Sequence, residues 1–476
     1  MTELQMPESK KKEILRVFNL QKQNHHQVRT TTYQQRKVKL KKLLEAVYSE
    51  SSEIEKAVYN DFKKPASEVK LTEIYPLVKE IKHALRHLKE WMEPEEVYPP
   101  ITFIGSKNRI IYEPKGVALI ISPWNYPVLL ALNPMVAAIA AGNCVILKPS
   151  ERTPHTSAIL KKIVSNVFDE EEVTVLEGGK KTAETLLALP FDHIFYTGGG
   201  EVGKIVMKAA ADNLASVTLE LGGKSPVIID KTVDLRDAAT NIMWGKLLNA
   251  GQTCIAPDYA LIHESKLEKF IAEIKNAIHR FYGDDAMMQE SPDYCHIVSA
   301  PHFAKISELV KDAVRRGAKI EIGNNSSSKE KFISPTVLSN VDMNSQIMKE
   351  EIFGPVLPVI TYKEKGDILN IVEANPKPLA MYIFSKSKSF IKEMTVSIPA
   401  GGVTVNGVIT HFTNSNLPFG GVNKSGMGKY HGHHGFKTFS NEKAFMKLPK
   451  YHSLKLLYPP YNSFVKKIID FTVKYL

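Results

Sequence analysis

The sequence predicts an α/β fold built on buried parallel sheets, arranged in two successive α/β units. Three observations carry that prediction. Short apolar runs at Val117–Ile121, Cys144–Leu147, Val173–Leu176, His193–Thr197 and Val227–Ile229 alternate with stretches of helical periodicity. Such runs are the mark of strands covered on both faces and joined by crossover helices. The alternation resumes after Asp237 and continues to about Asn406. Finally, 476 residues with 43% hydrophobic and 24% charged content suffice for more than one core at ordinary globular composition.

Residues 1–93 read as helical. Thr32 and Gln35 make a capping-box pair. Leu40, Leu43, Leu44 and Val47, and later Val78, Ile81, Leu85 and Leu88, recur at the spacing of one helix face. Pro94 and the Pro99-Pro100 pair end the region. Ile101–Glu113, with Gly105, Ser106 and Asn108 between β-prone flanks, reads as a hairpin, and a strand is expected near Phe436–Met446. The stretch from Val117 to Leu147 is apolar enough to imitate a membrane span. Pro123, Pro127, Pro134, Asn125, Asn133 and Asn143 interrupt it, so no run reaches the roughly 18–20 apolar residues that spanning requires. Buried strands and a buried helix account for it better. In the tail, Phe464, Ile468, Phe471 and Tyr475 share a helix face beside Lys466, Lys467 and Lys474, an amphipathic helix suited to docking on the protein or on a membrane surface.

Composition bounds the function. A net charge of +11 suits anionic ligands, but the lysines are spread through amphipathic segments. With no recognition motif and no basic–aromatic interleaving, nucleic acid is not an expected partner. Cys144, Cys254 and Cys295 are too sparse for a disulfide framework or a zinc site, and MTELQMPESKKKE has no apolar signal core. A reducing, cytoplasmic setting follows. His431, His433 and His434 match no zinc spacing and read as a surface loop, so no metal is expected.

Four segments hold candidate chemistry. In HIFYTGGGEVGKIVMKAAA, Gly198, Gly200 and Gly203 form G-x-G-x-x-G between a strand and a helix whose apolar face is Val202, Ile205, Val206, Ala209 and Ala210. This is the Rossmann-like arrangement in which a pyrophosphate meets a helix N-terminus, and also a plain strand-to-helix turn. Glu220 follows at the distance of a ribose-binding acid. It is also an isolated carboxylate between Leu219 and Leu221 before Gly-Gly, where burial would raise its pKa toward that of a general base. A solvent-facing strand residue is the simpler alternative. Cys254, in NAGQTCIAPDY, is either a small buried hydrophobe or a nucleophile. Asn125, pinned between prolines in SPWNYP, is a turn residue or an oxyanion donor.

TLELGGKSP, GQTCIAP, PWNYP, VILKPSE, EEIFGPV and LPFGG-x-x-x-SGMG, in their order along the chain, resemble the aldehyde dehydrogenase superfamily over nearly the whole sequence. FYTGGGEVGKIVMKAAA, WGKLLNAGQTCIAPDY and SGMGKYHGHHGF look like its class 3, fatty-aldehyde-like branch. Gly421-Val422-Asn423-Lys424-Ser425-Gly426 departs from that branch's usual GGVGNSGMG, and the turn at Gly198–Gly200 is unusually rich in glycine.

The resemblance implies a Rossmann-like cofactor domain (1–95 and 114–219) and a second α/β catalytic domain (220–406). It also implies a small β bridging or oligomerisation element (96–113 and 407–446) and a tail (447–476). It makes Cys254 the nucleophile and places Asn125 with the Cys254 backbone N–H in an oxyanion hole. Glu220 moves from the ribose to the base that hydrolyses a thioester. Lys148 and Glu151 become adenosine-ribose contacts, Glu351 the nicotinamide-ribose ligand and Phe353 its packing partner. Trp124, Thr197, Gly198, Gly200, Val202, Gly203 and Leu221 complete the cofactor site. A thiolate beside a carboxylate couples the two titrations, which favours separate moments of action. NAD is the expected cofactor, with NADP accepted as well, and the expected substrate is a medium or long aliphatic, or an aromatic, aldehyde. A CoA-acylating enzyme is the nearest rival, and a base at Glu220 argues for hydrolysis instead. The start lacks the extension of tetrameric classes, so a homodimer is expected, with peripheral membrane contact through the tail helix.

Overall fold

Side-chain alternation along β3 (Val117–Ile121), β4 (Cys144–Lys148) and β6 (His193–Thr197) decides how the first sheet is covered. Val117, Leu119, Ile121, Ile146 and Ile194 share one core with Ile14, Val17 and Phe18 of helix Glu8–Arg29. Ala118, Ile120, Val145, Leu147 and Phe195 face the other way, into the core shared with helices Tyr33–Ser49, Tyr75–Met92, Leu129–Ala141 and Pro154–Val167. The computed structural model describes residues 6–475. The apolar stretch that imitates a membrane span is β3, β4 and, between them, a helix with every residue buried. That helix ends at Gly142 (φ 91°), against which the Arg36 guanidinium lies too close for any Cβ; Arg36 donates to Ala140 O at 3.0 Å.

With β5 (Val173–Val175), β7 (Ser216–Glu220) and β17 (Gly426–Met427), the first sheet runs in the order β17-β7-β6-β3-β4-β5. All neighbours are parallel except β17, which returns from far along the chain to pair antiparallel with β7. The second sheet uses β8 (Pro226–Ile229), β9 (Tyr259–His263), β10 (Lys319–Ile322), β13 (Thr336–Ser339), β14 (Val356–Tyr362), β15 (Ala380–Phe384) and β16 (Gly402–Val405). Its order is β10-β13-β14-β9-β8-β15-β16, with only β10 antiparallel. A short ribbon pairs β11 (Ser326–Ser327) with β12 (Phe332–Ile333). A third, antiparallel sheet joins β1 (Glu95–Val97), β2 (Lys107–Pro114) and β18 (Ser440–Lys447) in that order.

Several expectations change in detail. The hairpin is real, but its first strand is β1; Ile101–Phe103 is a single 3₁₀ turn that Pro100 introduces. The late strand starts at Ser440, because Gly432–Thr438 forms a helix. That helix overturns the surface-loop reading of the histidines. His431 is buried, its ring stacked on Phe419, and His433 stacks on Trp91. On helix Gly200–Asp212, Val206 and Ala210 are buried, whereas Val202 and Ile205 point outward. All three cysteines are free. Among the described residues no helix is long and apolar enough to cross a membrane. Helix Ser463–Tyr475 buries Val465 and exposes Phe464, Phe471 and Tyr475.

Candidate active site

In the first sheet the chain leaves β3 toward β4 and β5, and leaves β6 in the opposite direction toward β7. A crevice therefore opens beyond the carboxyl ends of β3 and β6, the switch point at which open α/β sheets take ligands. A cavity of about 250 Å³ lies there. Pro123, Trp124 and Asn125 line it from the loop after β3, Thr197, Gly198 and Gly199 from the end of β6, and Glu220, Leu221 and Gly222 from the end of β7. Cys254, His302, Lys305, Glu351 and Phe353 close it from the second α/β unit.

The Cys254 loop depends on a tight reversal after helix Leu235–Leu247. Asn249 (φ 56°), Ala250 (φ 49°) and Gly251 (φ 74°) are consecutively left-handed, a costly conformation for the first two. Hydrogen bonds hold it. The buried Glu68 carboxylate accepts the Asn249 N–H at 2.6 Å. The Asn249 side chain donates to Asn125 O (2.8 Å) and Gln252 O (3.0 Å), and Asn125 Nδ2 donates to Gln252 O at 3.0 Å. Gln252 donates to Asn249 O and His296 O and accepts from the Val298 N–H. Asn125 and Cys254 are thus fixed to one another, and the second N–H of the Asn125 amide is left for a ligand. Cys254 is half-buried. Burial, then the charges of Glu351 and Glu220, raise its thiol above the ordinary range, so the resting group is S–H.

Glu220 ends β7, its carbonyl accepting the Gly198 N–H at 3.0 Å. Its carboxylate is 3% exposed, and neither oxygen has a hydrogen-bond partner. Desolvation pushes its pKa well up, with Lys429 opposing. Such an orphaned acid costs folding free energy and is free to accept a proton. Gly420 (φ 152°) is required beside it, since a Cβ there would stand 2.7 Å from Glu220 Oε1.

Glu351 and Phe353 come from the loop before β14. Glu351 lies against the face of Gly222, where a Cβ would be 2.0 Å from its carboxylate oxygen, and it accepts the Gly223 N–H. Burial, then Asp258, raise its pKa to about 8. Lys224 anchors that loop: buried, it pairs with Asp258 and donates to Ile347 O (2.8 Å) and Glu350 O (3.1 Å). Phe353 (φ 53°) receives His302 Nε2 on its carbonyl at 2.8 Å, so that nitrogen carries the proton. Desolvation holds His302 neutral, with a pKa lowered to about 4. Trp124, His302 and Phe353 meet edge to face at 5.4–6.0 Å as one wall.

The remaining expected residues stand around the same sheet edge. Lys148 ends β4, buried, with Nζ 3.0 Å from Glu151 and 2.9 Å from Pro149 O. Gly199 and Gly200 begin helix Gly200–Asp212, and a Cβ on either would meet nothing within 4 Å. Gly203 packs on Leu221, where a Cβ would be 2.9 Å from the leucine. Val202 faces solvent on that first turn. The site therefore fits a dinucleotide. It offers open space before a helix N-terminus with unpaired N–H groups, an acid beside Lys148 and a second acid at Glu351. Sequence reasoning missed His302, Lys305, Lys224 and Glu68. Lys224, a cation within TLELGGKSPVII, carried a signal; His302 and Lys305, on an ordinary amphipathic helix, carried none.

Cys254 also lines a second cavity, of about 130 Å³. Tyr126, Leu129, Leu130, Leu248, Ile409, Pro76 and Phe412 line it, with Leu71, Tyr75 and Trp244 exposed at the surface. It is an apolar tunnel with Cys254 in its wall.

The doubly wound sheet and its crevice are those of a dinucleotide-binding fold. The chain belongs to the aldehyde dehydrogenase family, whose model matches residues 2–445. It is 44% identical over 439 residues to the putative aldehyde dehydrogenase AldX of Bacillus subtilis, covering 92% of this chain and 98% of that one. It is 42% identical over 436 residues to the 4,4'-diaponeurosporen-aldehyde dehydrogenase of Staphylococcus aureus, covering 92% and 94%. The substrate-bound structure of Staphylococcus aureus AldH superposes with a TM-score of 0.92 at 41% identity, covering 96% and 99%. The NAD⁺ complex of Mycobacterium tuberculosis aldehyde dehydrogenase gives 0.80 at 25% identity, covering 89% and 87%. The enzyme oxidises aldehydes with NAD(P).

Proposed function

We propose that the enzyme converts aldehydes with extended apolar tails to free carboxylic acids through a covalent bond to Cys254. The observation that carries this reading is the position of Cys254, where the dinucleotide cleft and the apolar tunnel meet. The tunnel takes the tail and leads the carbonyl carbon to Sγ. The alkoxide formed on attack is stabilised by the spare N–H of Asn125 and by the Cys254 backbone N–H.

NAD(P), when bound, supplies the hydride acceptor that turns the thiohemiacetal into a thioester. The residues that would hold it are Trp124, Lys148, Glu151, Thr197, Gly198, Gly200, Val202, Gly203, Leu221, Glu351 and Phe353. Glu151 beside Lys148 favours ribose hydroxyls over a 2′-phosphate, so NAD is preferred and NADP accepted. Glu220 then takes a proton from the water that hydrolyses the thioester, releasing acid and thiol. The order follows from charge. Glu220, raised well above the ordinary carboxylate range and lining the same cleft, takes the thiol proton as Sγ attacks, so it is neutral while the alkoxide forms, and it gives that proton up to solvent before it acts on water. Base action follows once the sulfur is acylated and neutral.

The test is kinetic. Cys254→Ala should abolish turnover, and Glu220→Gln should keep a first burst of NADH while losing the steady state. An undiminished steady rate in Glu220→Gln would sink the base assignment. Acid formed from aldehyde and NAD without CoA separates hydrolysis from acyl transfer to CoA; no acid defeats the hydrolytic reading.

The exposed edge strand β18, with Phe445 and Met446 outward, supports a homodimer built through the third sheet. Sedimentation as a monomer at micromolar concentration would remove it. The exposed aromatics of helix Ser463–Tyr475 support peripheral membrane contact of a cytoplasmic enzyme. Liposome flotation unchanged by deletion of 461–476 would remove that.

A further inference from the structure

Helix Tyr75–Met92 carries Lys79, Lys82 and Arg86 at i, i+3 and i+7. With Lys70 they line a concave space of about 560 Å³, opposite Asn414–Asn416. Lys70 is paired with Glu55 at 3.3 Å. Lys79 donates to Thr413 O at 2.6 Å, and Lys82 lies 5.6 Å from the Tyr48 ring centre. Among the described residues, none of Lys79, Lys82 and Arg86 has a carboxylate in ion-pair contact. Two acids share the helix: Glu90, one turn beyond Arg86, faces His87 at 3.3 Å, and Glu80 is turned inward. It is buried, accepts the Gly432 N–H at 2.5 Å and a bond from Ser415, and burial raises its pKa, so it offsets little of this charge. His83 reports the same field: after burial, the charges of His87, Arg86 and Lys79 lower its pKa.

The second observation is position. Tyr75 lines both this space and the apolar tunnel, and the neighbours Lys70 and Leu71, and Thr413 and Asn414, divide between the two. Leu71 and Tyr75 are more than half exposed, so they mark an opening of the tunnel to the surface, its mouth. The uncompensated cations thus begin where a substrate tail leaves the tunnel. At about 1.5 Å of helix rise per residue, Lys79 and Lys82 stand roughly 6 and 10 Å beyond Tyr75 along the axis.

We infer that the tunnel and this basic hollow together select aldehydes bearing a carboxylate at the end opposite the carbonyl. The inference rests on the reading that the carbonyl meets Cys254 through the tunnel. The chemistry is unchanged: the aldehyde carbon loses hydride to NAD(P), water supplies the oxygen, and the product is an α,ω-dicarboxylate. Such a substrate is supplied by oxidation of the corresponding ω-hydroxy acid. A hollow with cations in its walls suits a compact oxyanion better than a flat anionic bilayer, which needs charge on a protruding surface. The far carboxylate gains only when the chain spans the tunnel and overhangs its mouth, so the preference switches on above a threshold length.

The experiment is steady-state kinetics of the full chain with NAD on two series of equal length, ω-oxo carboxylates and n-alkanals. Above the threshold, the ω-oxo carboxylate should show a KM about tenfold below the alkanal, an advantage that shrinks with added salt. The Lys82→Gln/Arg86→Gln variant should raise the ω-oxo carboxylate KM about tenfold and leave alkanal kcat and KM unchanged. No length-dependent preference in the unaltered enzyme, or a variant that shifts both series alike, overturns the inference. So does co-sedimentation with phosphatidylserine vesicles that depends on the two residues without any change in the KM ratio. Failure of the underlying reading is separate: Leu71→Trp, which fills the tunnel mouth, would then leave the KM of both series unchanged.

Discussion

Replacing Gly222 by Ala should weaken cofactor binding through Glu351. A Cβ at Gly222 falls 2.0 Å from a Glu351 carboxylate oxygen, where ordinary contact begins near 3.4 Å. The backbone does not resist, because Gly222 is not among the left-handed glycines. The carboxylate must therefore retreat by more than an ångström, which breaks its bond from the Gly223 N–H and takes it off its place in the cleft wall. Near neutral pH Glu351 is largely protonated, and a hydrogen bond to a neutral group is worth about 0.5–1.5 kcal/mol, so the NADH dissociation constant should rise roughly 2- to 10-fold. The assay is fluorescence titration of NADH into the apo enzyme, for Gly222→Ala, Glu351→Gln and the double variant. If both act through one carboxylate, the double variant should be no worse than the weaker single one. Unchanged NADH affinity in Gly222→Ala, at an unchanged melting temperature, would refute the reasoning. Additive losses would show that Gly222 acts on something other than Glu351.

Other outcomes follow from the same geometry. Burial raises the Glu68 carboxyl to about 7, and that of Glu351 to about 8. Between the ordinary carboxylate range and those values the folded protein binds more protons than the unfolded chain. Apo-enzyme stability should therefore fall as pH rises from about 5 to 8, by on the order of 3 kcal/mol from Glu68. Glu68→Gln should flatten a plot of melting temperature against pH, and an unchanged slope would count against it. Gly200→Val adds a side chain where nothing lies within 4 Å, so it should raise the KM for NAD without lowering the melting temperature; an unaltered KM would mean that the helix start is not used. Lys224→Met strands the buried Asp258 and removes the donor from Ile347 O and Glu350 O. Breaking such a pair costs about 3–5 kcal/mol, so thermal unfolding should move down by several degrees.

Periodicity located both α/β sheets because their strands are covered on two faces and read as unbroken apolar runs. It could not see β17, two residues that pair with β7 from more than two hundred positions away. Helix Gly432–Thr438 was hidden for a different reason: glycine and histidine dominate it, and only burial of Phe436 and stacking of His433 on Trp91 make it worthwhile. Cys254, Glu220 and Asn125 stood out as residue types at odds with their surroundings, a thiol in a polar loop, an acid on an apolar strand and an amide between prolines. Glu68 and His302 did not, since a glutamate and a histidine on helices look the same whether they face solvent or a left-handed turn. Their importance is a matter of distance in space, which spacing along the chain does not encode.

The thiol at the meeting point of two cavities has a kinetic consequence. A site with one entrance forces its reactants to queue, and whichever enters first must reach deepest. On the proposed reading the aldehyde has its own approach, past Tyr75, and the dinucleotide occupies the crevice beyond β3 and β6, whose lining shares only Leu130 and Cys254 with the tunnel. Neither occupant bars the other's way in or out. A spent dinucleotide can be exchanged while the acyl group is still attached to sulfur, and an acid with a long tail can withdraw backward along the path by which it came.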